Sequence, residues 1–164
     1  MNHTAAIGAD YTMPSGEAIH IRPLEKADLP GLEWDGEYSH FRKLYQQHYE
    51  NSLSGNTRIW VAQNENAEII GHVFLLLHSR QSETAEGVFQ AYLFFFRIKP
   101  AYRSQGLGSF MLELAEGFLR DRGFRFLRLN VARINPLARR MYENHGYRMI
   151  GPDQIGRASC RERV

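Results

Sequence analysis

The chain has 164 residues, 43 % of them hydrophobic and 23 % charged, the ordinary balance of one soluble globular domain with a sizeable core. No apolar run approaches the roughly 18 residues of a membrane-spanning helix. The single cysteine, Cys160, excludes a disulfide framework and a thiolate metal site and fits a reducing cytoplasm.

In chain order, the opening MNHTAAIGADYTMP lacks the basic and apolar regions of a signal peptide and reads as a loose leader over residues 1–14, with Met13 as an alternative start. One domain is expected over 15–154. AIHIRPLE alternates apolar and polar residues and predicts a strand near 18–23. KADLPGLEWDG is a short, broken helical region. Phe41, Leu44, Tyr45, His48, Tyr49, Ser52 and Leu53 fall at helical spacing and predict an amphipathic helix over about 40–53, stopped at Gly55. RIWVAQ and IIGHVFLLL are strands joined by the polar turn NENAE; the second is apolar throughout, as for a strand covered on both faces. GVFQAYLFFFRIKP is a long strand ended by Pro100.

Leu107, Phe110, Met111, Leu114, Ala115, Phe118 and Leu119 mark one face of a helix that ends at Gly123. FRFLRLNV is the next strand. NPLARRMYENHG is a helix with Asn135 as N-cap, Pro136 in its first position and Gly146 beyond its end. YRMI opens a last strand. The order βααββ–βαβαβ is an α/β pattern whose crossover helices imply parallel neighbours in the second half.

The end of the chain, IGRASCRERV over 155–164, looks like the translation of a sequencing-adapter sequence and is treated as a non-native tail. Without it the formal charge falls from +2 to zero and the pI of 8.8 says little about partners. Its lack of apolar alternation predicts an irregular, exposed segment and a missing closing strand.

The stretch YRSQGLGSFM, residues 102–111, carries the functional signal. It lies between a strand end and a helix N-terminus, where unpaired N–H groups and the helix dipole favour an anion. Glycines let backbone amides approach phosphate oxygens, and Arg103 adds a guanidinium. A Walker A loop fails, because Met111 and Leu112 stand where Lys and Ser or Thr are needed. A dinucleotide fingerprint fails, because Met111 replaces the third glycine and no acid follows at the next strand end. The pattern that fits is R-x-x-G-x-G: Arg103, Gly106 and Gly108.

That loop after IKP, together with LNVARINPLARRMYENHGY and IRPLEKADLP, resembles the GNAT superfamily of acyl-CoA-dependent N-acyltransferases over about residues 18–151. The resemblance implies a mixed, mostly antiparallel sheet with helices on both faces. It implies acetyl-CoA as co-substrate, held through its pyrophosphate by the backbone of Ser104, Gln105, Gly106, Leu107, Gly108 and Ser109 with Arg103. The amide of Ile98 pairs with the pantetheine arm, and Asn135 bonds the same arm while capping its helix. The strands matching 88–99 and 126–131 splay apart around the thioester. Tyr142 matches the tyrosine that serves as general acid. The partner is an amine-bearing acceptor; neither a membrane nor a nucleic acid is expected, and a homodimer is compatible. The segment 28–45 and the loop 79–87 are expected to shape the acceptor pocket.

One departure stands out. Many relatives carry a glutamate on the strand before the loop, and YLFFFRI has none. Water, Tyr92 or a carboxylate among Glu33, Asp35 and Glu37 is left as the base. That absence also keeps open a CoA-binding sensor without turnover. A nucleic-acid module would need the arginines of 120–148 on one face with exposed aromatics. Seven histidines show no ligand spacing, so no metal is expected.

Overall fold

The computed structural model describes residues 8–77, 90–131, 135–151 and 154–158. Among the described residues eight strands form one sheet in the order β1-β2-β3-β4-β5-β6-β8-β7. They are β1 (Ala9–Thr12), β2 (Ala18–Pro23), β3 (Thr57–Gln63), β4 (Ile69–Leu76), β5 (Gln90–Ile98), β6 (Phe126–Asn130), β7 (Arg148–Gly151) and β8 (Gln154–Ala158). The helices are α1 (Arg42–Leu53), α2 (Leu107–Asp121) and α3 (Pro136–Asn144), with 3-10 segments at Lys26–Glu33, Ser39–Phe41 and Pro100–Tyr102. All pairings are antiparallel except β5 with β6.

The sheet separates two apolar layers. On one face Ile19, Ile21, Trp60, Val73, Leu75 and Leu93 pack against Leu107, Met111, Leu112, Ala115, Phe118 and Leu119 of α2. On the other, Ile59, Val61 and Phe74 pack against Leu32 and Tyr45. The period of two along β3 decides the split, Ile59 and Val61 to one side, Trp60 and Ala62 to the other. β4 is buried on both faces, as its unbroken apolar run requires. The α1 stripe is narrower than its pattern suggests: Tyr45 is fully buried, but Leu44 and Leu53 are exposed.

Three expectations are corrected. Residues 9–12 are not a loose leader: β1 pairs with β2 from Ala9 opposite Ile21 to Thr12 opposite Ala18, and Met13 is buried. The closing strand is not missing. Gln154–Ala158 forms β8, paired with β6 on one side and β7 on the other; residues 159–164 lie outside the described residues. Backbone pairing between two waiting strands needs no apolar alternation, which is why the poor side-chain pattern of QIGRA misleads. The crossover through α3 therefore does not make β6 and β7 neighbours, because β8 inserts between them. Among the described residues only α2 joins adjacent parallel strands.

Candidate active site

The site begins with a defect in β5. Opposite β4, His72 pairs with Arg97 and Phe74 with Phe94. One residue of β4 thus faces two of β5, Phe95 and Phe96, which is a β-bulge. Phe95 takes up the mismatch with φ 45°, a conformation costly for a side chain of that bulk. Its carbonyl receives a hydrogen bond from His72 Nδ1 at 2.6 Å. Because a carbonyl only accepts, His72 carries its proton on Nδ1. The imidazole is fully buried, and Nε2 has no partner among the described residues. Burial lowers its pKa to about 3, the Phe95 bond opposes that shift, and Arg97 adds to it.

The bulge lies just past the end of the pairing between β5 and β6. Their parallel pairing runs from Gln90 opposite Phe126 to Leu93 opposite Leu129 and stops there. Beyond Leu93 no described strand pairs with the β6-side edge of β5, in keeping with the splay that the resemblance implies. Into that gap opens a cleft of about 560 Å³ lined by Tyr38, Phe96, Arg97, Ile98, Arg103, Ser104, Gly106, Gly108, Ser109, Asn135, Leu137, Ala138, Met141 and Tyr142. Eight of the ten expected site residues meet there. The other two, Gln105 and Leu107, do not line it. Leu107 is core, and the Gln105 side chain donates to the Ala101 carbonyl at 2.9 Å.

The glycine loop is held from several directions. Gly106 has φ 90°, and a Cβ there would collide with the Tyr11 hydroxyl. That hydroxyl, on β1, donates to the Gln105 carbonyl at 2.6 Å, and the Tyr11 ring lies 5.1 Å from that of Phe110. A Cβ on Gly108 would stand 3.2 Å from Met141 Sδ and 3.4 Å from Ile98 Cδ1. Arg103 Nε donates to the Ile98 carbonyl at 2.7 Å, tying loop to strand. At the start of α2, Phe110 N–H reaches the Gly106 carbonyl at 3.0 Å. The amides of Leu107, Gly108 and Ser109 precede that bond and have no intrahelical acceptor.

Across the cleft, Asn135 accepts a hydrogen bond from Ala138 N–H at 3.2 Å and caps α3, which leaves its amide nitrogen available. Tyr142 lines the cleft, packs 5.6 Å from Tyr147, and is only 6 % exposed. Burial pushes its phenol well above the ordinary tyrosine range.

No acid lines the cleft among the described residues. Glu33 is bound by Arg42 at 2.8 Å and, with Asp35, lines a separate hollow beside α1. Tyr92 is raised by burial and lies outside the cleft, so it makes a poor base. The expected loop 79–87 lies outside the described residues. Tyr38 falls within the segment 28–45 expected to shape the acceptor pocket, whereas Phe96 and Arg97 are lining residues that sequence reasoning missed. Tyr38 and Arg97 are far apart in sequence, and no local pattern reports a bulge built on phenylalanine.

A family model described as the Acetyltransferase (GNAT) family matches residues 21–147. Among curated proteins, no sequence matches the chain. Solved structures share its fold. A GNAT-family acetyltransferase from Staphylococcus aureus Mu50 superposes with a TM-score of 0.70 at 14 % identity, over 85 % of this chain and 98 % of that one. The PaiA N-acetyltransferase of Thermoplasma acidophilum, solved in complex with coenzyme A, gives 0.69 at 22 % identity over 85 % and 98 %. A chimera of the spermidine N-acetyltransferase SpeG from Vibrio cholerae gives 0.66 at 17 % identity over 87 % and 96 %. With a family match spanning most of its length, laid over the splayed strands and the glycine loop, this chain belongs to the GNAT acetyltransferase family.

Proposed function

We propose that this chain is an acyl-CoA-dependent N-acetyltransferase, moving an acetyl group from acetyl-CoA to a primary amine in a ternary complex. The observation that carries this reading is the meeting, in one cleft, of the loop over 103–109, the open edge of β5 and Tyr142. The cleft suits a polyanion. The free amides at the start of α2 and the Arg103 guanidinium take the pyrophosphate. The edge of β5 at Ile98, whose carbonyl already accepts from Arg103 Nε, offers its amide to the pantetheine arm in the manner of an added strand. Asn135 faces the same arm from α3.

The reaction forms an amide C–N bond and breaks the thioester C–S bond. The amine loses a proton to water, and the sulfur gains one from Tyr142, which solvent resupplies. Burial keeps the phenol protonated well past neutrality. It also weakens the acid, so Tyr142 hydrogen-bonds the sulfur first and gives up its proton only as negative charge develops there. A lysine-like ammonium, with a pKa of about 10.4 in water, is easier to deprotonate in this cleft, because the nearest fixed charges are cationic.

A second reading, a CoA-binding sensor without turnover, is favoured by the lack of a carboxylate among the described lining residues. Free-thiol release from acetyl-CoA across a panel of amines separates the two. Release that depends on an amine supports the transferase, and binding without release supports the sensor.

A further inference from the structure

Arg97 is a lining cation that cofactor binding does not use. Side chains alternate along β5 after the bulge. Phe96 and Ile98 pack with the layer that holds α2, whereas Phe94 and Phe95 pack with Tyr38, Phe41 and Tyr45 on the α1 side. Arg97 goes to the α1 side. Its guanidinium stacks over Tyr38 at 4.3 Å, Phe41 at 4.9 Å and Phe95 at 5.1 Å, and donates to the Tyr45 hydroxyl at 3.1 Å. The proposed pyrophosphate groups stand on the other side of the strand, at the N-terminus of α2.

Arg97 makes no ion pair with a described residue, and no described acid lines the cleft it faces. The nearby carboxylate of Glu33 is already taken by Arg42. A half-buried guanidinium held by aromatic faces and one neutral hydroxyl keeps most of its donors for an incoming group. A planar fork held in one pose favours a planar, bidentate anion.

We propose that the acceptor amine carries a carboxylate and that Arg97 binds it, so that the substrates are amino-acid-like rather than polyamines. The inference rests on the transferase reading above. A carboxylate a few bonds from the amine meets the fixed cation and presents the amine toward the gap between β5 and β6. A polyamine instead brings a second cation against Arg97, a like-charge contact that raises the cost of binding. The spermidine acetyltransferase shares the fold at 17 % identity, which leaves the acceptor chemistry to this chain's own residues.

The test uses the full chain with acetyl-CoA and matched acceptors: α-amino acids, their carboxamides, and spermidine. Thiol release is followed for each acceptor. The expected result is at least one amino acid favoured over its own amide by roughly 10- to 100-fold in kcat/KM, the weight of a charge-assisted hydrogen bond. Arg97→Gln should shrink that ratio toward one through the acceptor KM, Arg97→Lys should keep part of it, and calorimetric acetyl-CoA affinity should hold in both. Equal or better turnover of the amides or spermidine by the unmutated chain overturns the proposal and leaves the transferase reading intact. So does an Arg97→Gln variant that loses acid and amide turnover alike, which is the mark of a packing role. Binding of acetyl-CoA with no turnover of any amine overturns this proposal together with the transferase reading.

Discussion

Acidification should loosen this protein, with His72 the largest single contributor among its histidines. His72 is fully buried, with its pKa lowered to about 3, against about 6.5 in an unfolded chain. A base with a depressed folded pKa contributes stability that is present above the unfolded value and lost as pH falls below it, because only the unfolded state then takes up the proton. Between pH 7.5 and pH 5 one such histidine costs about 2 kcal/mol, or about 4–8 °C of Tm in a chain of this size. The structural reason is specific. Nδ1 already donates to the Phe95 carbonyl, so a second proton falls on Nε2, which has no acceptor among the described residues, and the nearby Arg97 charge opposes it. His48 on α1 is also lowered by burial and adds to the same slope, so the comparison with His72→Gln isolates the effect. The variant starts less stable, having lost the bond to the bulge, but its Tm should fall less between pH 7.5 and 5, by the amount above. Parallel Tm-against-pH curves for the two proteins, or an NMR titration of His72 centred near pH 6.5, would refute the reasoning.

Other perturbations address the loop, the acid and the sheet. Tyr142→Phe should keep acetyl-CoA affinity and lower kcat by ~10²–10⁴-fold; unchanged kcat across pH 6–9, with chemistry rate-limiting, returns the residue to packing. Because burial raises the phenol, the unmutated chain should show no alkaline limb from Tyr142 below about pH 10. Gly108→Glu should abolish CoA binding in a folded protein, since its Cβ already points at Met141 and Ile98; calorimetry with unchanged affinity contradicts the loop assignment. Tyr11→Phe removes the bond to the Gln105 carbonyl and should weaken CoA binding about fivefold, the worth of roughly one hydrogen bond; equal affinity means the loop holds without β1. Truncation after Gln154 removes β8 from between β6 and β7 and should lower Tm by many degrees; an unchanged Tm denies the strand a structural role.

Most of the architecture is legible in the chain because the core-forming periodicities are strong. Leu107 to Leu119 gives α2, and the β4 run gives a doubly covered strand. Asn135, Pro136 and Gly146 bracket α3 through local capping chemistry alone. R-x-x-G-x-G gives the loop, because positive φ at Gly106 and close packing at Gly108 demand glycine. What escapes is set by long-range pairing. β1 and β8 have weak patterns of their own and exist because neighbouring edges await partners. The bulge at Phe95 escapes for the opposite reason: phenylalanine disfavours that backbone, and the tertiary bond from His72 overrides the preference. Arg97 follows from the bulge, since its direction depends on the extra residue before it.

The proposed function puts acetyl-CoA-dependent transfer to an amine in the cleft between β5 and β6. Mass spectrometry of acceptors incubated with the full chain and acetyl-CoA, alongside thiol release, tests it most directly. Acetylated amine should appear in step with free CoA, require both substrates and be lost in Gly108→Glu. Tight CoA binding with no acetylated product from any amine would contradict it.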